Sequence, residues 1–82
     1  MQELKRYLHR KYNSNYYRSK LAQIDSWLDS NETQILESYN PAELISDYAK
    51  KLLLPITEDD TSAFDDIISK MERTGNTGNT IN

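Results

Sequence analysis

A strongly apolar segment with helix signals at both ends, residues 40–55, most constrains how this chain can fold. Asn40 suits an N-cap, and Pro41 suits the first helical position, where its missing N–H costs nothing. Pro55 should stop the helix, because a residue before proline disfavours the α conformation. We therefore expect a helix from Asn40 to Leu54, with the other helices packed around it. Its apolar positions recur at helical spacing, namely Leu44, Ile45, Tyr48, Ala49, Leu52 and Leu53.

The N-terminal part of the chain predicts either two helices or one. Residues 2–12 carry a basic amphipathic stripe, and residues 16–30 carry a second apolar stripe at helical spacing. Between them lies Asn-Ser-Asn at residues 13–15, which are poor helix formers and good caps. We favour a break at this point, and one long helix over residues 2–30 is the alternative.

Two more helices complete the pattern. A short one is expected over residues 32–39, and a last one follows the polar linker beyond Pro55. Four residues compete for the N-cap, namely Thr57, Asp60, Thr61 and Ser62. Ser62 with Asp65 has the spacing of a capping box. Gly75 is typical of a helix C-cap.

These elements predict a single all-α domain, a small bundle of four to five short helices over residues 1–74. Residues 75–82 are small and polar, and we expect them to form a flexible tail. No window shows the alternation of a β-strand. The predicted core consists of Leu21, Ile24, Leu28, Leu44, Ile45, Tyr48, Leu52, Phe64, Ile67, Ile68 and Met71.

The composition offers little for catalysis. The chain has 82 residues, no cysteine and one histidine, so disulfides and thiolate metal sites are excluded. Both glycines lie near the C-terminus, so no phosphate-binding loop is present. The acidic run Glu58-Asp59-Asp60 lacks the glycine and spacing of a calcium loop and favours a solvated helix start. We expect no enzyme, no cofactor, no metal site and no small-molecule substrate.

Hydropathy and the N-terminal sequence bear on location. No apolar run approaches the roughly 18 residues of a membrane span, and the N-terminus lacks the apolar stretch of a secretory signal. We therefore expect a cytoplasmic, intracellular protein without a membrane partner.

Charge is unevenly distributed along the chain. Residues 1–20 hold six of the ten Lys and Arg residues but one of the thirteen Asp and Glu residues. Basic groups can neutralise phosphates and tyrosine rings can stack on bases, so this segment is a candidate partner-binding or nucleic-acid-binding surface. Tyr16 is expected to be exposed, whereas Tyr7, Tyr12 and Tyr17 fall on the core stripe. The candidate residues are Lys5, Arg6, Arg10, Lys11, Tyr16, Arg18 and Lys20.

A short stretch, residues 15–27, resembles a helix in one subunit of the GINS replication complex. A Pro-Ala-Glu helix start at Pro41 is also similar to that family. Because the likeness is confined to short stretches, we expect neither the fold nor the activity of that family from it. The positions that carry it are Tyr16, Arg18, Lys20, Leu21, Ile24, Asp25 and Trp27.

The sequence as a whole favours a non-enzymatic helical module, of accessory or inhibitor type, that binds a larger protein or itself. Such small acidic proteins resemble accessory proteins of mobile genetic elements as a class. The alternative is a nucleic-acid-binding accessory factor that uses the basic N-terminal segment. In a further alternative, the basic groups pair with the chain's own acids, and the charge asymmetry then indicates no partner.

Overall fold

The first helix ends where the Asn-Ser-Asn run begins. In the computed structural model, which describes the backbone of residues 1–81 and the side chains of residues 1–71, helix α1 spans Gln2–Lys11. A single 3₁₀ turn, Asn15–Tyr17, leads into helix α2, Arg18–Ser30. The predicted break is confirmed, because asparagine and serine side chains compete with the backbone for helical hydrogen bonds.

Three further helices follow, α3 (Glu32–Glu37), α4 (Pro41–Lys51) and α5 (Glu58–Ile81). The described backbone thus forms an all-α bundle of five helices without a strand, as predicted. Helix α5 continues past Gly75, where the sequence predicted a C-cap. The predicted flexible tail over residues 75–82 lies outside the described side chains and stays a prediction.

Helix α4 begins at its predicted cap but ends earlier than predicted. Asn40 Oδ1 accepts a hydrogen bond from the Glu43 N–H at 3.3 Å. At the other end, the Leu54 N–H donates to the Ala49 carbonyl and the Leu53 N–H to the Lys50 carbonyl. This pair of bonds is a Schellman motif, which ends the helix at Lys51. The helix therefore ends four residues before Pro55, the predicted stop.

Helix α5 follows Thr57, one of the predicted N-cap candidates, but its capping box is not the predicted pair. The Asp60 N–H donates to Thr57 Oγ1 at 3.2 Å, and the Thr57 N–H donates to Asp60 Oδ2 at 3.0 Å. The helix is therefore already formed at the pair expected to cap it, Ser62 and Asp65, which are both exposed. The reciprocal pair sits one turn earlier, directly after the linker.

The helices bury one continuous core. Helix α1 lies against α2 and α5, while α4 lies against α3 and α5, so the packing does not centre on α4 alone. Six predicted core residues are buried, and Tyr48, Leu52, Ile67 and Met71 are half-buried. The buried apolar set is Leu4, Leu8, Tyr12, Leu21, Ile24, Leu28, Ile35, Ala42, Ile45, Ala49, Leu54, Ile56, Phe64 and Ile68.

Leu44 was predicted wrongly as a core residue. It is 38% exposed, because the face that α4 buries is centred on Ala42, Ile45 and Ala49. Ser46, also on this face, is buried and its hydroxyl lies 2.7 Å from that of Thr61 on α5. Leu44 lies two residues after Ala42, on nearly the opposite side of the helix, and therefore points outward.

Candidate interaction surface

Half of the basic residues singled out from the sequence pair with acids of the same chain. Ion pairs within the fold therefore neutralise part of the N-terminal positive charge, which agrees with the hypothesis that the basic groups pair with the chain's own acids. The pairs are Lys5 with Asp29, Arg6 with Glu3 and Lys11 with Asp60, at N–O distances of 2.5, 3.1 and 2.5 Å.

The other three basic residues lie apart from acidic groups. Among the side chains of residues 1–71, Arg10 and Arg18 have no ionic partner. The Lys20 ammonium donates to the Leu52 carbonyl at 2.9 Å and lies 5.5 Å from the centre of the Tyr16 ring. Lys20 thus connects the start of α2 to the end of α4.

The tyrosines divide as the apolar stripe predicts. Tyr16 is 69% exposed, whereas Tyr12 is buried and Tyr7 and Tyr17 are half-buried against the core. Tyr16 and Tyr17 meet edge to face with centroids 5.0 Å apart. Of these four rings, Tyr16 therefore presents the largest exposed aromatic surface to a partner.

Asp60 is the centre of a polar cluster that the sequence did not predict. It belongs to the run expected to be a solvated helix start, yet it is fully buried. The hydroxyls of Tyr7 and Tyr12 each donate to its carboxylate at 2.6 Å. Lys11 Nζ and the Thr57 N–H supply the remaining hydrogen bonds. The cluster ties α1 to the first turn of α5.

The cluster shifts the pKa of each ionisable member. Burial alone would raise the pKa of Asp60, but its four hydrogen-bond donors outweigh burial and hold the pKa well below its ordinary value of 3.8. Burial, and then the hydrogen bond to Asp60, raise the pKa values of Tyr7 and Tyr12 above the ordinary 10.0. The same carboxylate raises the pKa of Lys11. All four groups thus keep their ordinary neutral-pH forms, and the buried charge is satisfied.

A second polar contact joins α1 to α2. His9 Nε2 lies 2.7 Å from Asp25 Oδ2, while the other carboxylate oxygen of Asp25 is buried without a hydrogen-bond partner. His9 is half exposed and lines a recess of about 240 Å³ together with Asn13 and Arg18. The two residues are 16 positions apart, so no local pattern in the sequence indicates this contact.

The turn after α4 exposes a leucine in an unfavourable backbone conformation. Leu53 has φ of 68°, in the left-handed region that the Schellman motif requires and that glycine normally occupies. Its side chain is 72% exposed. Lys20 bonds the adjacent Leu52 carbonyl and lies 5.5 Å from the centre of the Tyr16 ring. We group Tyr16, Lys20 and Leu53 with the exposed Lys51, two positions before Leu53, and call this group the Leu53 corner.

Another exposed apolar surface lies at the opposite end of α4. Tyr39 is fully exposed and Leu44 is 38% exposed. Both line a shallow recess of about 290 Å³, whose charged lining residues, Glu43 and Asp47, are acidic. We call this surface the Tyr39 recess, and its lining residues are Ser38, Tyr39, Asn40, Glu43, Leu44 and Asp47.

Comparison with known proteins adds no assignment. No protein-family model, no curated protein and no solved structure matches the chain. Within the described part of the chain, no helix is long and apolar enough to cross a membrane. The side chains of residues 1–71 contain no group of three or more His, Cys, Asp or Glu that could hold a metal ion.

Proposed function

We propose that the chain is a non-enzymatic protein-interaction module and that the Leu53 corner is its binding surface. The observation that carries this proposal is the exposure of Leu53 in a left-handed conformation. A residue with a Cβ in this region costs about 1–2 kcal/mol, which glycine avoids. Because most of its side chain is in water, this leucine contributes little burial free energy to offset that cost in the folded monomer.

Contact with a partner would bury Leu53 and supply the free energy that offsets this cost. Burying a leucine side chain fully is worth about 1.5–3 kcal/mol, of the same size as the backbone cost. Lys20 bonds the carbonyl of the preceding residue, Leu52, and lies 5.5 Å from the centre of the Tyr16 ring, and tyrosine is among the residue types enriched at binding hot spots. An apolar centre with a basic rim is therefore the chemistry that the Leu53 corner offers to another protein.

The Asp60 cluster supports a structural rather than a catalytic use of the tyrosines and Lys11. Both carboxylate oxygens accept hydrogen bonds from the chain's own donors, and the residue is fully buried. A general base needs a lone pair within reach of a substrate proton, which this carboxylate lacks.

The paired charges of α1 weigh against the nucleic-acid alternative. Lys5, Arg6 and Lys11 already neutralise acids of the same chain, which leaves Arg10, Arg18 and the carbonyl-bound Lys20. Three cations that contact phosphates give a salt slope of about 3 on logarithmic axes, too few for tight binding through the backbone alone. A protein partner is therefore the better-supported class.

Site-specific photo-crosslinking tests the proposal. A photoreactive p-benzoylphenylalanine replaces Leu53 in one sample, Tyr16 in a second and Gln23, exposed on α2, in a control. After irradiation of cells that make the protein, we expect the same discrete protein adduct from positions 53 and 16 and none from position 23. Equal adduct patterns from all three positions, or none from any, would contradict the proposal.

A further inference from the structure

The large apolar residues that the described side chains expose fall into two groups at opposite ends of α4. Tyr39 precedes the helix by two residues, and Leu44 lies in its first half. Leu53 follows the helix by two residues, and Lys20, which bonds the adjacent Leu52 carbonyl, lies near the exposed Tyr16 ring. Eleven helical residues separate the ends, a distance of about 16 Å, so the two surfaces of one molecule cannot cover each other.

The two surfaces carry opposite charge. Lys20 and Lys51 accompany the Leu53 corner, whereas Glu43 and Asp47 line the Tyr39 recess. Lys51, Glu43 and Asp47 have no ionic partner among the side chains of residues 1–71. Basic side chains at one end of α4 and acidic side chains at the other are electrostatically complementary.

The two surfaces also differ in shape. Leu53 protrudes from a tight turn, and the Tyr39 recess is an open depression of about 290 Å³ with Leu44 and the Tyr39 ring as apolar lining. A leucine side chain seated there covers apolar surface on both sides. The contact also places the C-terminal end of one α4 at the N-terminal end of the next, so the two helix dipoles align favourably.

We propose that the chain binds a second copy of itself head to tail, with the Leu53 corner of one copy seated on the Tyr39 recess of the next. This inference rests on the proposed interaction function and names its partner. Because the two surfaces differ, the contact is heterologous, and each pair leaves one surface of each kind uncovered. Assembly therefore proceeds beyond dimers as concentration rises, toward a closed ring or an open chain of copies.

Sedimentation velocity of the purified chain tests this from about 10 µM to about 1 mM. We expect the mean mass to rise with concentration and the association to weaken between about 0.05 and 0.5 M salt, which screens the rims. Leu53→Gly and Leu44→Glu should each raise the dissociation constant at least about tenfold. Gln23→Ala is the matched surface control and should leave association unchanged. Circular dichroism checks that each variant is folded.

Mixing the two variants distinguishes a head-to-tail contact from a symmetric one. Leu53→Gly keeps its Tyr39 recess, and Leu44→Glu keeps its Leu53 corner, so an equimolar mixture has one intact contact. We expect a heterodimer and no larger species at a concentration where each variant alone is monomeric. Failure of the mixture to associate when the wild type does would overturn the head-to-tail arrangement.

The outcome also separates this inference from the function on which it rests. A wild type that stays monomeric at about 1 mM overturns self-association. If crosslinking from position 53 then yields an adduct with a different protein, the interaction function stands and the second copy is the wrong partner. If it yields no adduct, both proposals are contradicted.

Discussion

The Tyr12 hydroxyl donates a 2.6 Å hydrogen bond to Asp60 across 48 residues of chain, and both residues are buried. Tyr12 directly follows α1, and Asp60 lies in the first turn of α5. The bond therefore fixes the first helix against the last. Tyr7 extends this link by meeting the Phe64 ring edge to face, with centroids 5.7 Å apart.

Loss of the Asp60 charge should destabilise the fold strongly. We expect Asp60→Asn to lower the free energy of unfolding by about 2–4 kcal/mol, because its buried hydroxyl donors lose a charged acceptor. Urea unfolding followed by fluorescence measures this, since Trp27 is the single tryptophan and stacks on Tyr48. The exposed neighbour Asp59→Asn is the control and should change stability by less than about 0.5 kcal/mol. Equal effects at both positions would show that the cluster contributes nothing specific.

The same cluster predicts a stability plateau bounded by acid and by alkali. The pKa of Asp60 is lowered in the folded state, so its contribution is complete above its ordinary 3.8 and is lost as pH falls below it. The pKa values of Tyr7 and Tyr12 are raised, so their contribution is complete below 10.0 and is lost as pH rises beyond it.

Melting temperature against pH measures both limbs of this profile. We expect the acid limb to flatten in Asp60→Asn, because the titrating carboxylate is gone. A Tyr7→Phe variant should flatten part of the alkaline limb and leave part of the acid limb in place. An unchanged acid limb in Asp60→Asn would assign the acid sensitivity to other carboxylates.

Nucleic-acid binding should be weak and sequence-independent. At physiological salt we expect dissociation constants of about 10⁻⁴ to 10⁻⁶ M for single- and double-stranded DNA and RNA, the ordinary non-specific range. Arg10→Gln with Arg18→Gln is the informative double variant, because neither residue has an ionic partner among residues 1–71. Submicromolar binding that this variant loses would favour the nucleic-acid alternative.

Local patterns accounted for the helices and much of the core but not for the polar cluster. Apolar spacing predicts that Ile24 and Phe64 are buried, and the adjacent pair Asn40 and Pro41 indicates the cap of α4. The burial of Asp60 depends on tyrosines about 50 positions away, and no local window contains both partners. An acidic run before a helix is ordinarily a solvated start, so the sequence favoured the wrong environment.

The exposure of Leu53 could not be predicted from the sequence for a different reason. A leucine next to other leucines, two positions before Pro55, looks like the end of a buried helix stripe. The Schellman hydrogen bonds end the helix at Lys51 and prevent it from continuing to Leu54. They form here without a glycine, because Leu53 adopts the left-handed conformation. Sequence propensity would have placed that turn at a glycine.

Replacing Leu53 by glycine should stabilise the fold. We expect Leu53→Gly to raise the free energy of unfolding by about 0.5–1 kcal/mol, the relief of the left-handed conformation less the entropy cost of glycine. Leu53→Ala is the matched control, because alanine keeps the backbone cost and removes most of the side chain. It should bring no such gain.

Measuring stability and self-association on the same preparations of wild type and Leu53→Gly tests most directly whether Leu53 serves binding. If it does, the variant unfolds at higher urea concentration and its sedimenting mass no longer rises with protein concentration. A variant that is less stable than the wild type while associating as well as the wild type would contradict this, and would show that Leu53 serves the fold.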